Sequence, residues 1–366
     1  MIRYMRRMRK REEAVMIGCA PELSFAPSTS DKLGVGGFST VYRATLSNDV
    51  VVAVKVLNDY DSSSHCIENE MRALETIPLH DNIIAMVHVS GAQSGVLVLE
   101  LAEIDLHDYM HTLRNNTITE DRARELFSQM VCAVAHCHRH RVAHRDIKLE
   151  NWLLLNDRIK LSDFGLSTVV SETDDWYVRD KTGTAGYMSP EAIHGRNRPY
   201  DARSADAWST AVCLFAMLSG FFPYQTADNS DRRFKICYRR CDCLMTKVYA
   251  MYKLSAQHFS ADIKDLLHRS LCVRLQDRLS IEDMRTHHWN QVCACEPLTA
   301  PGAELIARVS RLRCPRFLWR CFPTVRLPTP TAPAVTVQVS APMAPIRPPS
   351  VRQKQFQRYT KRPRPA

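Results

Sequence analysis

The sequence has no run of roughly eighteen uncharged apolar residues, which is about the length that a transmembrane helix needs. No membrane span is therefore predicted, and the apolar stretch at 212–222 is interpreted as a buried helix. The basic N-terminus also lacks the apolar core of a secretory signal. A mitochondrial presequence ending before Glu12 and Glu13 would be short, and it stays open as an alternative.

Paired Cys-x-x-Cys motifs are also missing, although the chain has 13 cysteines. An odd number of cysteines, scattered through a long chain without a secretory signal, indicates reduced thiols rather than a disulfide framework. The closest group is Cys237, Cys241 and Cys243, whose spacing is not that of a paired zinc site. We interpret these as free thiols in a surface insertion around 225–257, with a zinc site completed by a fourth ligand as the alternative.

Acidic residues are nearly absent from the C-terminal part of the chain. Residues 297–366 carry 13 basic groups and one acidic group, and residues 1–13 carry a net charge of +4. Because the whole chain has a net charge of +10, residues 14–296 carry −6. An acidic body with basic ends indicates interaction or targeting segments, not a uniformly nucleic-acid-binding protein. No specific nucleic acid is expected as a partner.

The distribution of prolines and the periodicity of apolar residues divide the chain further. Thirteen of the 19 prolines lie at or after Pro297, so most of the tail is expected to be disordered or polyproline-like. Residues 32–102 are strand-rich with one helix-like segment, CIENEMRALETI, and helical periodicity dominates beyond residue 105. This order predicts a small β-rich lobe, a larger α-rich lobe and a cleft between them. The predicted divisions are a basic extension at 1–31, a catalytic domain at 32–292 and a tail at 293–366.

Two features of the β-rich part could handle phosphate. Gly34, Gly36 and Gly37 fall in a turn between two strand-like runs, where bare N–H groups could meet phosphate oxygens. An ordinary glycine turn is the alternative reading. Lys55 lies in the apolar run VAVKV, where an ammonium needs a partner, and Glu70 on the helix-like segment could supply it. An edge-strand lysine is the other possibility.

The stretch HRDIKLEN and the later IKLSDFGLS supply charged groups beside apolar runs. Asp146 could accept or orient a hydroxyl proton, and Lys148 could neutralise a phosphoryl group. Asn151 and Asp163 offer the hard oxygen ligands that magnesium prefers. Seventeen residues separate the two aspartates, which is enough for a short hairpin to bring both to one cleft.

The ordered motifs resemble those of the eukaryotic protein kinases over roughly residues 32–292. GVGGFSTV resembles the phosphate-covering loop, VAVK the lysine strand, HRDIKLEN the catalytic loop and DFG the metal loop. The resemblance implies an α+β, two-lobed protein kinase fold. Its β-rich N-lobe, at about 32–102, would carry one regulatory helix, and its α-helical C-lobe would cover about 103–292. It also implies transfer of the γ-phosphoryl group of Mg-ATP to protein hydroxyls.

The same resemblance implies residue roles. The catalytic residues would be Asp146 as the base, Lys148 as the phosphate contact and Lys55. Asn151 and Asp163 would hold Mg²⁺. The expected nucleotide-binding residues are Leu33, Gly34, Gly36, Gly37, Val41, Ala53, Lys55, Glu70, Glu100, Ala102, Asp105 and Leu153.

Within that set, backbone groups of Glu100 and Ala102 would bond the adenine edge, and Asp105 would lie near the ribose. Asp206 resembles the buried aspartate that braces the catalytic loop, and Arg278 the ion-pair partner of Glu191.

The type of kinase follows from neighbouring residues. Lys148 and Thr184 resemble the serine/threonine branch, where the threonine hydroxyl bonds the catalytic aspartate and the lysine. Glu150 lies where basophilic members of the family hold a substrate arginine, and Glu103 and Asp105 are close to each other along the hinge. With the acidic body, this resemblance implies a preference for basic substrates.

Regulation is expected at the activation segment, 163–191. Arg145 directly precedes Asp146, and in this branch an arginine at that place is usually held by a phosphorylated residue of the activation segment. Four residues before Thr184 this sequence has Asp180, which could reach Arg145 as a fixed carboxylate. A solvated aspartate is the alternative, and Thr182 and Tyr177 are alternative phosphosites.

The basic amphipathic segment at 303–322 resembles the regulatory helix of calcium/calmodulin-dependent kinases, so calmodulin or another acidic partner could bind it. A membrane-surface segment competes with that reading. A cytoplasmic monomer that phosphorylates protein substrates is expected, with KRPRPA as a candidate nuclear import signal. A pseudokinase or scaffold that acts through its basic tail is the main rival.

Overall fold

The structure is a computed structural model that describes residues 31–36, 39–46, 49–57, 60–89, 96–239 and 244–290. Most of the two basic ends lies outside these residues, as do Gly37 and the segment at 303–322. The domain boundaries at 32 and 292 therefore stay predictions. None of the helices in the described part combines the length and apolar character that a bilayer crossing requires.

The first lobe is built on an antiparallel sheet of five strands in the order β1-β2-β3-β5-β4. Successive side chains of a strand point to opposite faces of the sheet. On β3, Val52 and Val54 therefore pack in one apolar cluster, whereas Ala53 packs in the main core on the other face. Lys55 follows Ala53 at a spacing of two, so it shares that core-side face. The strands are β1 (Lys32–Val35), β2 (Ser39–Thr45), β3 (Val51–Leu57), β4 (Met86–Val89) and β5 (Val96–Glu100).

One helix, α1 (Tyr60–Thr76), packs on the core side of this sheet. Ile67, Met71 and Leu74 recur at helical spacing and are buried. Glu70 lies next to this apolar stripe and is also fully buried. The helix begins at Tyr60, six residues before the predicted segment, and this extension carries little of the apolar stripe that the prediction used.

The second lobe is mainly helical, as predicted. Its longest helix begins after Thr119, whose side chain accepts the backbone N–H of Arg122 and so caps the helix. The other central helix is apolar nearly all round and is buried. That helix ends at Gly220 with φ 71°, where a Cβ would lie 2.9 Å from the Asn115 carbonyl oxygen, so only glycine fits there. The helices are α2 (Leu106–Thr112), α3 (Glu120–Arg139), α4 (Pro190–Ile193), α5 (Ala202–Ser219), α6 (Arg232–Arg239), α7 (Leu244–Met251), α8 (Ala261–Ser270) and α9 (Ile281–Thr286).

Short strands join the two lobes and shape the cleft. β8 and β9 are connected by Asn156 and Asp157, which both have positive φ, as a two-residue hairpin turn requires. This is the short hairpin that the spacing of the two aspartates predicted. Trp152, at the start of β8, is fully buried and anchors the hairpin in the core. The short strands are β6 (Ile104–Asp105), β7 (Val142–Ala143), β8 (Trp152–Leu155), β9 (Arg158–Leu161), β10 (Thr168–Val169), β11 (Tyr177–Val178) and β12 (Tyr200–Asp201).

The insertion around 225–257 is not confined to the surface. It contains α6 and α7, and Met245 and Val248 of α7 are fully buried in the main core. The cysteine triplet lies outside the residues whose side chains are described. Among the described cysteines, four carry free thiols, but Cys132 is disulfide-bonded, which contradicts the expectation of reduced thiols at that position.

Candidate active site

Lys55 connects the two lobes at the back of the cleft. Its Nζ lies 2.5 Å from Glu70 Oε2 and 2.8 Å from Asp163 Oδ1. The predicted ion pair between Lys55 and Glu70 is therefore present, and its two side chains are 12% and 1% exposed. Because the lysine is on the sheet and the glutamate on α1, the pair fixes the helix against the sheet.

The electrostatics of this group favour the charged forms of Lys55 and Asp163, whereas burial raises the pKa of Glu70. Burial alone would lower the pKa of Lys55, but the carboxylates of Glu70 and Asp163 outweigh burial and raise it. Burial likewise tends to raise the pKa of Asp163, but Lys55 outweighs burial and holds that pKa below its usual value. The lysine is therefore an ammonium and the aspartate a carboxylate at neutral pH.

Asp146 is the centre of a second group, in the loop between β7 and β8. Its Oδ2 accepts Lys148 Nζ at 2.6 Å, and its Oδ1 accepts the Thr184 hydroxyl at 2.8 Å. Lys148 Nζ also lies 3.4 Å from Thr184 Oγ1. The three side chains form the closed triangle that the serine/threonine resemblance implies, and Asp146 is 6% exposed.

Asn151 is fixed beside this group. Its Nδ2 donates to the Asp146 carbonyl at 2.8 Å, and its own carbonyl accepts the N–H of Ser162 at 2.9 Å. The next residue, Asp163, has φ 62°, a left-handed backbone that is rare for a residue with a side chain. Since the amide nitrogen of Asn151 is engaged, its amide oxygen is the atom that can ligate a metal, together with the Asp163 carboxylate.

Asp206 supports the catalytic loop from below, as expected. Its Oδ2 accepts the N–H of His144 at 2.9 Å and its Oδ1 the N–H of Arg145 at 2.8 Å. His138 Nε2 lies 2.9 Å from the same Oδ2. The carboxylate is 1% exposed, and it holds Arg145 at φ 68°, another left-handed position.

The activation segment is tied to this loop by an ion pair between Arg145 and Asp180. Thr182 Oγ1 also donates to Asp180 Oδ2, at 2.7 Å. Burial tends to raise the pKa of Asp180, but Arg145 and Thr182 outweigh it and lower that pKa. The predicted contact between a fixed carboxylate and Arg145 is therefore present.

The end of the segment is anchored in the second lobe. Arg278 Nη2 donates to Glu191 Oε2 at 3.0 Å, which is the ion pair that the resemblance implied. Arg278 Nε also donates to the Cys272 carbonyl at 2.8 Å, and its guanidinium lies 4.7 Å from the centre of the Trp208 ring. A planar donor with this many partners holds the segment rigidly.

The described members of the predicted nucleotide-binding set come from both lobes, and Gly37 lies outside the described residues. Ala53 on β3 pairs with Leu99 on β5, and Val41 on β2 pairs with Lys55. Gly34 and Gly36 stand on either side of Val35 at the tip of β1, where Gly36 donates its N–H to the Ser39 carbonyl at 2.8 Å. Leu33 is half-exposed on β1, and Leu153 lies partly buried on β8.

Two predicted roles at the connection between the lobes are modified. The N–H of Glu100 donates to the Ala85 carbonyl at 2.9 Å, so the carbonyl of Glu100 is the backbone group that can bond adenine. Asp105 Oδ1 accepts the N–H of Asp108 at 2.8 Å and caps α2, so its carboxylate also has a structural task. Ala102 lies between them and is partly buried.

Sequence reasoning missed two contacts at this site. Lys160 Nζ lies 3.1 Å from Glu100 Oε1, and both side chains are almost fully buried. A lysine between the two apolar residues Ile159 and Leu161 of β9 was the signal that could have found it. Tyr187 donates its hydroxyl to Glu150 Oε2 at 3.2 Å, and no feature of the sequence pattern indicates that bond.

A β-rich lobe and an α-rich lobe that bring these side chains to one cleft are the arrangement of a protein kinase. Residues 28–290 match the family model described as "Protein kinase domain". The match covers more than half of the chain, and the chain therefore belongs to this family.

Named relatives agree with that assignment. The chain is 32% identical over 265 residues to "CBL-interacting protein kinase 11" of Oryza sativa subsp. japonica, which is 70% of this chain and 50% of that protein. It is 32% identical over 282 residues to "Serine/threonine protein kinase OSK3" of Oryza sativa subsp. indica, covering 74% and 51%. It is also 32% identical over 275 residues to "Carbon catabolite-derepressing protein kinase" of Candida glabrata, covering 73% and 42%. The chain thus spans about half the length of these relatives.

Proposed function

We propose that this chain is an ATP-dependent serine/threonine protein kinase that transfers a γ-phosphoryl group to protein hydroxyls. The observation that carries the proposal is the triangle of Asp146, Lys148 and Thr184, with Oδ1 of the aspartate 2.8 Å from the threonine hydroxyl. Phosphoryl transfer depends mainly on positioning and charge neutralisation. This triangle places the carboxylate of Asp146, the ammonium of Lys148 and the hydroxyl of Thr184 within hydrogen-bond distance of one another.

The chain's own residues would divide the work. Asp146, buried and already fixed by two donors, would orient the substrate hydroxyl and accept its proton. Lys148 would offset charge that develops on the transferred group. Lys55, held by Glu70 and Asp163, presents an ammonium at the back of the cleft, where it would contact the phosphates of ATP.

We further propose Mg²⁺ as the metal. The donor set fits, because Asn151 and Asp163 offer an amide oxygen and a carboxylate, which are hard ligands of the kind that Mg²⁺ prefers. The bond from Asn151 Nδ2 to the Asp146 carbonyl, at 2.8 Å, turns the amide so that its oxygen is free to ligate. When bound, the ion would neutralise phosphate charge.

The test is transfer of radiolabelled γ-phosphate from ATP to a mixed protein substrate, comparing wild type with Asp146→Asn. Loss of a general base typically lowers the rate by about 10²–10⁴-fold, and we expect a loss in that range. Asp157→Asn, at the exposed β8–β9 turn, is the matched control and should keep activity. Absence of transfer by wild type, or equal rates for wild type and Asp146→Asn, would support the pseudokinase alternative instead.

We propose basic protein substrates for this activity. Glu150 is exposed, and only its Oε2 is bonded by Tyr187 within the described residues, so Oε1 can meet a substrate arginine. Glu103 is also exposed and accepts the N–H of Asn156 at 3.1 Å. Both carboxylates belong to the acidic body rather than to the basic ends.

The basic segment at 303–322 supports a further proposal, binding of calmodulin or another acidic partner, which rests on its sequence alone. Calcium-dependent retention of the full chain, but not of a chain lacking 303–322, on immobilised calmodulin would support it. Equal retention of both chains would count against it. A cytoplasmic location, with KRPRPA as a nuclear signal, is likewise proposed and can be tested by imaging the chain with and without those residues.

A further inference from the structure

Two histidines on α2 face each other one helical turn apart. His107 Nε2 lies 3.2 Å from His111 Nε2, and their rings meet at 75° with centroids 4.5 Å apart. The His107 side chain is 40% exposed, so solutes can reach the pair from solvent. In a neutral pair, one ring nitrogen must donate to the other, whereas an ion between them could accept both lone pairs.

The separation of the two nitrogens suits a shared metal ion. Zinc binds imidazole nitrogen at about 2.0–2.1 Å, so two nitrogens on one tetrahedral ion lie roughly 3.3–3.4 Å apart. The observed distance of 3.2 Å is close to that value. Two histidines at positions i and i+4 of a helix are also the spacing with which helical zinc motifs present their ligands.

Carboxylates beside the pair complete the arrangement. Asp108 Oδ1 lies 3.4 Å from His107 Nδ1, the nitrogen that does not face His111. A carboxylate on the second ring nitrogen orients a metal-binding histidine and fixes its tautomer. One carboxylate oxygen each of Asp105 and Asp108 and one ring nitrogen of His107 lie within 4.8 Å of one another, so the pair is in an acidic environment that attracts cations.

We propose that His107 and His111 bind a divalent transition-metal ion through their Nε2 atoms, with Asp108 orienting His107. Imidazole ligands favour Zn²⁺, Ni²⁺ and Cu²⁺, whereas the oxygens of Asn151 and Asp163 suit Mg²⁺. The site therefore takes a different class of metal from the active site. It goes beyond the proposed kinase activity and does not depend on it.

The chain offers a matched control with the same helical spacing. His136 and His140 on α3 are also four residues apart, and their ring centroids are 4.6 Å apart. His136 Nε2, however, lies 3.1 Å from the Pro78 carbonyl oxygen, so that nitrogen is already engaged. This control shows whether metal binding requires two ring nitrogens that face each other, or only two histidines on one helix face.

The experiment is calorimetric titration of the full-length, tag-free chain with Ni²⁺ at neutral pH, because imidazole takes Ni²⁺ while thiolates favour zinc. The proteins are wild type, His111→Gln, Asp108→Asn and His140→Gln. We expect wild type to bind, His111→Gln to bind at least about tenfold more weakly, and Asp108→Asn to lose about tenfold in affinity through its orienting role. His140→Gln should bind like wild type.

Melting curves without metal show whether each variant is folded, and His107→Gln replaces His111→Gln if the latter is not. A selective loss in the α2 variants supports the site. Absence of Ni²⁺ binding to wild type, unchanged affinity in the folded His111→Gln or His107→Gln protein, or an equal loss in His140→Gln overturns it. Phosphate transfer, measured separately without transition metals, reports on the kinase proposal alone.

Discussion

We expect Asp180→Asn to lower the rate at which the unphosphorylated chain phosphorylates a peptide. Asparagine keeps the size of aspartate but removes the charge that faces Arg145, whose side chain is 9% exposed. Arg145 directly precedes Asp146, and Thr184, four residues after Asp180, bonds that catalytic aspartate. Loosening the segment at residue 180 should therefore disturb the triangle around Asp146.

The size of the effect follows from the exposure of the pair. A hydrogen bond to a charged group contributes about 1.5–3 kcal/mol. The Asp180 side chain is 51% exposed, and solvent screens such pairs, so we take about 1 kcal/mol. That corresponds to about a fivefold change in the population of the ordered segment. Because the pKa of Asp180 is lowered, the contribution is complete above the usual aspartate pKa of about 3.9 and is lost only in stronger acid.

The assay uses phosphatase-treated protein and separates kcat from KM. Asp175→Asn is the control, since Asp175 is an exposed carboxylate of the same segment with no ion pair among the described residues. Two results would refute the reasoning. One is equal activity of Asp180→Asn and Asp175→Asn. The other is an inactive wild type that phosphorylation of Thr182 or Tyr177 activates.

Three further predictions concern substrate choice, pH and folding. Glu150→Gln should lower kcat/KM for arginine-containing peptides by about fivefold and leave neutral peptides unchanged, and a peptide library that keeps its arginine preference would contradict this. The pKa of His80 is lowered to about 4 by burial and by the nearby charges of His136, Arg139 and Lys160. The stabilising contribution of neutral His80 is therefore present above about pH 6.5 and is lost as pH falls towards 4. His80→Gln should therefore reduce the fall in free energy of unfolding between pH 7 and pH 4 by about 2–3 kcal/mol, as measured by urea titration, whereas His65→Gln, at an exposed site, should not. Lys160→Met should destabilise the fold by about 3–5 kcal/mol because it leaves Glu100 buried without its cation, and a change below about 1 kcal/mol in the same titration would argue against a buried pair.

Several helices and strands, and the hairpin that carries part of the site, were predictable because their signals are local. The helices at 120–139 and 261–270 follow apolar periodicity, and the strand around Lys55 follows a run of valines. The hairpin between Asp146 and Asp163 was expected from their spacing alone. In each case a short stretch of sequence carries the preference, so no knowledge of distant neighbours was needed.

The rest depends on residues that only the folded chain brings together. The bond between Tyr187 and Glu150 joins positions 37 residues apart, and the pair of Lys160 and Glu100 joins two strands. The capping role of Asp105 follows from where α2 begins, which periodicity locates only within a few residues. Burial of α7 likewise reflects packing on the main core, and its sequence was read as a surface insertion.

The position of Asp206 has a consequence for substitutions that preserve shape. Both of its oxygens receive N–H groups of the backbone, from His144 and Arg145. Asparagine has the same outline, but however its amide is turned, an NH₂ group would oppose one of those N–H groups. In a saturation mutagenesis experiment at position 206, asparagine should therefore be tolerated as poorly as a larger residue. The position requires two hydrogen-bond acceptors, and a side chain of the right volume is not enough.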